Sequence, residues 1–273
     1  MLSDKKKKDR EKRGEITQKD LQPYLNCSSD QLLILLNDSE AKKRTIAATI
    51  LGKNHSNKFV IEMLCLSFKK EKALYSRIAI SEALSNIGKS SVPYLVNLLG
   101  KIGSNQEKSL PEKYFNKKSY PLARDMAART LVKIGNPATP YLIDVLEDGD
   151  DFEIQQALDA LGGIAAKTSD HRALNSILKL VHTHNMDSLN EVTLWKVCRC
   201  LSGFKGSEKA SRVLVDIIKT NPEDPIVWES VRSLGYIGIT SMDINRLIEN
   251  RANYEHPEIQ KAVKNALAMI NYI

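Results

Sequence analysis

A leucine returns at one helical phase seven times, at Leu51, Leu84, Leu131, Leu161, Leu201, Leu234 and Leu267, and this register restricts the chain to a repeat architecture. The spacings are 33, 47, 30, 40, 33 and 33 residues. Four residues before each leucine stand Ala47, Ile80, Ala127, Ala157, Val197, Ser230 and Val263. Three residues after it come Asn54, Ile87, Ile134, Ile164, Phe204, Ile237 and Ile270, so only the first unit lacks an apolar residue there. At about 100° per residue these offsets share one helical face, and the small residue that mostly precedes the leucine lets a neighbouring helix come close. A shorter apolar pattern leads into each unit, at residues 31–37, 59–68, 92–99, 139–146, 173–181, 210–218 and 244–248. A lone hairpin buries neither apolar face completely, so adjacent hairpins have to supply the rest.

The punctuation agrees. Asn136-Pro137, Asp224-Pro225 and His256-Pro257 put proline in a first helical turn, where no amide donor is needed. Gly88, Gly135 and Gly238 fall just past the ends of second helices, where a positive φ is wanted.

Val92-Pro93-Tyr94-Leu95 and Thr139-Pro140-Tyr141-Leu142, together with Glu82-Ala83-Leu84-Ser85-Asn86-Ile87-Gly88 and Arg129-Thr130-Leu131-Val132-Lys133-Ile134-Gly135, resemble the HEAT-repeat family. More particularly, they resemble the short HEAT-like repeat of the phycobilisome-lyase type. The resemblance covers residues 28–273 and implies an all-α, right-handed solenoid of about seven helical hairpins. Some HEAT-like proteins are di-iron hydroxylases that hold metal through His-Glu pairs, and this sequence has no His-Glu dipeptide.

Composition sets the remaining bounds. With 273 residues and 42% hydrophobic content the chain is long enough for a substantial core, and no apolar run approaches the roughly 18 residues of a membrane span. Net charge is +7, but residues 1–13 hold seven basic and three acidic side chains and so contribute +4 of it. Residues 1–20 therefore read as a basic arm without fixed structure, with the solenoid running over 21–273. No apolar stretch follows the charges as in a secretory leader, so the expected compartment is the cytoplasm. The 47-residue spacing places an inserted loop at 104–119, where Tyr114 and Phe115 lie among lysines and offer a second partner-contacting element. Cys27, Cys65, Cys198 and Cys200 show no paired spacing, and His182 and His184 fall on different helical faces, so neither metal nor cofactor is expected.

With no catalytic motif in view, function has to come from a surface. Offsets minus six and minus two lie opposite the packed stripe, and there Trp195 with Arg199 and Trp228 with Arg232 form i, i+4 pairs in consecutive units, with Arg129 at the same offset as the two arginines. Second helices of HEAT arrays line the concave side, so the five residues form a candidate groove site for another protein or an acidic peptide. The expected function is a non-enzymatic scaffold that mediates protein–protein interaction. The alternative is nucleic-acid binding, because tryptophan and arginine in a concave groove also resemble the HEAT-like alkylpurine DNA glycosylases, which need a carboxylate among their aromatic residues; here Asp159 lies one unit away from Trp195.

Overall fold

The computed structural model describes every residue except 1, 55–56, 115–118, 184–188, 222, 240–255 and 272–273. The described regular elements are all helical: α1 (Leu2–Lys12), α2 (Gln18–Leu21), α3 (Ser29–Leu35), α4 (Ala41–Asn54), α5 (Lys58–Lys70), α6 (Leu74–Ile87), α7 (Val92–Val96), α8 (Met126–Ile134), α9 (Thr139–Asp148), α10 (Asp151–Thr168), α11 (Leu174–Thr183), α12 (Glu191–Leu201), α13 (Glu208–Thr220), α14 (Asp224–Ile237) and α15 (Pro257–Asn271). They form two compact units, Met1–Gly103 and Ser104–Ile273.

In the first unit the second helices α4 and α6 pack side by side, with α3 and α5 against them. Gly52 makes this approach possible, because a Cβ there would lie 2.5 Å from that of Ala83. Thr45 and Ser76 meet hydroxyl to hydroxyl at 2.9 Å between the two helices. Local chemistry fixes the helix starts: Ser28 and Gln31 close a capping box on α3, and Asn57 accepts the Val60 amide at 2.9 Å on α5. Gly88 takes φ +75° after α6 and a Cβ there would meet nothing, so backbone conformation rather than space selects glycine.

The N-terminal segment departs from the expected arm. Residues 2–12 are helical, and the chain is docked from Arg13 onward: the Tyr75 amide donates to the Arg13 carbonyl at 3.0 Å. Gly14, at φ +90°, lies so close to Thr45 and Ser76 that no side chain fits. Composition described the solvated lysines correctly and missed the glycine that lets the backbone approach.

In the second unit α8, α10, α12, α14 and α15 stack in sequence as one row, and α9, α11 and α13 form the other. Of the seven register leucines, six are buried, and Leu267 on α15 is half-buried because a helix covers α15 on one side only among the described residues. The expected pattern at 244–248 lies outside the described residues. Between α7 and α8 the described residues from 104 to 125 carry no helix, and this stretch includes the inserted loop. Asp125 ends it by accepting the Ala128 amide at 2.8 Å as the α8 cap.

Leu161 sits at the centre of this row, 2% exposed. Leu161→Ala should cost about 2 to 5 kcal/mol, read as a lowered midpoint in urea unfolding followed by circular dichroism.

Candidate functional site

The second unit brings Trp195, Arg199, Trp228 and Arg232 together, and the i, i+4 spacing accounts for how. On α12 the Arg199 guanidinium lies over the Trp195 ring, 3.9 Å from its centroid. One helix later Arg232 lies over Tyr236 at 4.7 Å, and its Nη1 meets Glu229 Oε1 at 2.5 Å.

These side chains are covered. Trp195 is 2% and Trp228 4% exposed, because residues 104–114 cross the helices above them. Tyr114 from the inserted loop stacks on Trp228 with ring centroids 5.1 Å apart, and meets His256 edge-on at 5.2 Å. Tyr114 is therefore half-buried against the site instead of projecting from it, while Phe115 lies outside the described residues. Arg129 stands apart on α8, where its Nε donates to the Ala123 carbonyl at 3.0 Å and holds the end of the crossing segment.

Beneath the aromatic layer is a buried ionic cluster. Lys196, fully buried, donates from Nζ to Asp159 Oδ2 at 2.6 Å and to Glu107 Oε2 at 3.2 Å. Arg199 Nη1 reaches Glu107 Oε1 at 3.3 Å, and its Nε stands 3.7 Å from Glu229 Oε2. At the rim Arg124 pairs with Glu107 at 3.0 Å. Lys196, Arg199 and Arg232 thus face the buried carboxylates Glu107, Asp159 and Glu229, and removing a buried partner strands its opposite charge in a low-dielectric interior. Burial works to raise the Glu107 carboxyl, and Lys196, Arg199 and Arg124 outweigh it, so the group is held below its ordinary value.

A second anchor is aromatic. Tyr120 packs against α10 where Gly162 and Gly163 leave room: a Cβ on Gly162 would overlap the Tyr120 hydroxyl and come within 2.8 Å of the Cys200 Cα. That hydroxyl is buried without a hydrogen-bond partner among the described residues, and burial pushes its pKa well above the ordinary value. Burial likewise pushes the Cys198 thiol up to about 12, which makes it an unreactive packing group.

Lys196 and Glu229 escaped sequence reasoning for one reason: both stand five residues before their register leucine, next to the offsets taken as outward-facing. A lysine inside the otherwise apolar stretch 194–198 was the available signal for the first, and the mid-helix Gly162-Gly163 pair was the signal that something enters there. Nothing local marks Glu107.

Between the crossing segment and helices α12 and α14 lies a cavity of about 690 Å³, walled by Trp195, Arg199, Trp228, Glu229 and Arg232 on one side and residues 104–113 on the other. Its size is that of a small-molecule pocket.

No protein-family model matches the chain, and no curated protein does either. Among solved structures the chain is similar to the complex of CpcE and CpcF of phycocyanin lyase from Nostoc sp. PCC7120, with 16% identity, 90% of this chain and 95% of that one covered and a TM-score of 0.36. It is also similar to human deoxyhypusine hydroxylase, with 15% identity, 97% and 95% covered and a TM-score of 0.39. The likeness is one of helical architecture, and function has to be read from this chain's own side chains.

Because the Glu107 pKa is depressed in the folded chain, its contribution is present above the ordinary carboxyl value of 4.5 and is lost as pH falls through the lower folded value. Acid titration should therefore red-shift the tryptophan emission below about pH 4.5 as the cover loosens, and Glu107→Gln should show the shifted emission already at neutral pH. Gly162→Ala should evict Tyr120 and lower the melting temperature by several degrees, about what 1 to 3 kcal/mol of overpacking produces.

Proposed function

We propose that this helical-repeat chain is a protein-binding scaffold whose α12 and α14 surface takes an extended acidic segment of a partner, in the place that residues 104–114 occupy. The observation that carries this reading is the seat of Glu107: an irregular backbone crosses the two helices, and its carboxylate is received by Lys196 and Arg199. A surface that receives a carboxylate from an irregular segment of its own chain has the shape and charge to receive one from another. The resident segment competes at the high effective concentration of a tethered ligand, so a partner has to displace it.

Nucleic-acid binding has weaker support. The two tryptophans are covered, and Asp159, the carboxylate that a base-excising site would need, is held by Lys196 at 2.6 Å. Chemistry on a flipped base requires an aromatic pocket open to the duplex and a carboxylate free to act.

A synthetic peptide with the sequence of residues 104–114 provides the test. The Glu107→Gln protein, its own cover loosened, should bind the peptide about tenfold more tightly than the unaltered chain, since one charge-assisted contact no longer favours the resident segment. Joint replacement of Trp195 and Trp228 by alanine should abolish binding while the helical spectrum persists. Equal affinity of the Glu107→Gln and unaltered proteins, or retention of duplex DNA in preference to the peptide, would defeat the reading.

A further inference from the structure

The cavity under the crossing segment is walled by side chains whose unmet hydrogen-bonding groups are all donors. Trp195 Nε1, Arg199 Nε, Arg232 Nε and Arg232 Nη2 are buried and without a hydrogen-bond partner among the described residues. Among the described residues that wall the cavity, no fully buried side-chain acceptor lacks a partner. A buried donor without an acceptor costs about 1 to 3 kcal/mol, and four of them belong to three side chains that wall one cavity.

Arg232 carries the chemical detail. Its Nη1 is taken by Glu229, which leaves Nε–H and Nη2–H, the two parallel donors on one edge of the guanidinium, and the residue is only 3% exposed. Elsewhere in this protein the same edge receives planar oxygen pairs. Arg44 donates from Nε to Glu71 Oε2 at 2.7 Å and from Nη2 to Oε1 at 2.9 Å. Arg172 grips Asp170 in the same way at 2.9 and 2.6 Å. Arg232 alone of these three has the fork empty, and it stands in the wall of a cavity. The charge of the lining points the same way, with five cationic side chains against three carboxylates. Trp228, whose ring also meets Tyr114, stands in the same wall and supplies apolar carbon for the rest of a ligand.

We infer that the cavity is a binding site for a small organic carboxylate, whose two oxygens take the Nε/Nη2 edge of Arg232 and whose apolar body rests on Trp228. An ionised carboxylate accepts and never donates, which matches the unmet donors of Trp195, Arg199 and Arg232. The ligand sits beneath residues 104–113 and does not displace them, so this site stands or falls separately from capture of an acidic segment by the same helices.

The test uses the full chain with benzoate and phenylacetate as probes, and benzamide, phenylacetamide and inorganic phosphate as comparators. The carboxylates should raise the melting temperature and change the tryptophan emission saturably, and each should bind about tenfold or more tightly than its amide, the ratio expected for two charge-assisted hydrogen bonds. In the unaltered protein, the Nε–H proton signal of Arg232, assigned by its loss in Arg232→Lys, should move downfield with carboxylate and stay in place with amide. Arg232→Lys keeps the charge and removes the fork, and should lose the preference for carboxylate over amide while retaining its helical spectrum. Equal binding of acid and amide, no saturable response to either carboxylate, or phosphate outcompeting both would overturn the assignment. If a peptide of residues 104–114 is captured while the carboxylates fail, the pocket is refuted and the scaffold reading survives; the converse result refutes displacement and leaves the pocket standing.

Discussion

One ammonium group organises the second unit. Lys196 has no solvent contact, and an unpaired cation in that position would not keep its charge at acceptable cost. Its two carboxylates come from different places: Asp159 from the neighbouring helix α10, and Glu107 from the crossing segment. Stacking of α10 on α12 satisfies half of the requirement, and only the docked segment satisfies the other half. The cover over the aromatic layer is therefore a condition of burying Lys196 and not an ornament on a finished solenoid. The same logic extends outward through Arg199, which shares Glu107 and Asp159 and reaches toward Glu229 on α14.

The two halves of the site differ in how the chain encodes them. The leucine register and the spacing of the Trp–Arg pairs are local, so helical phase alone puts Trp195 with Arg199 on α12 and Trp228 with Arg232 on α14. Phase says which side chains share a face and nothing about what lies on that face. The segment that covers it pairs with residues 89 and 92 positions away, a separation at which periodicity carries no information. Lys196 and Glu229 fell between these cases: they belong to the same outward arc as the arginines, one helical step from the positions read as a face. At the other end of the chain, abundant lysine described the solvated side of α1, while Gly14 alone recorded that the following backbone is pressed against Thr45 and Ser76.

Binding proteins built from helical repeats ordinarily present an open surface, and here the chain brings its own occupant. The occupant's carboxylate satisfies the deeper cations, while the donors at Arg232 and Trp195 remain unmet beside it. Two chemically different demands thus lie in one place: one for a carboxylate, which Glu107 of the crossing segment meets, and one for an acceptor at the unmet donors. They share Arg199 and the tryptophans, so what happens at one is felt at the other through common side chains.

The long reach of Glu107 also bears on how the unit comes apart. In a solenoid each repeat touches only its neighbours, and unfolding proceeds by fraying, one unit after the next. Here residue 107 is tied to residues 196 and 199, and Tyr114 to Trp228, so ties span α8 through α14 and bypass the nearest-neighbour chain. Fraying at either end of that span has to break the tie before it can advance. The unit gains the all-or-none cooperativity of a globular domain, and the ties close late in folding, after the local hairpins that they bridge.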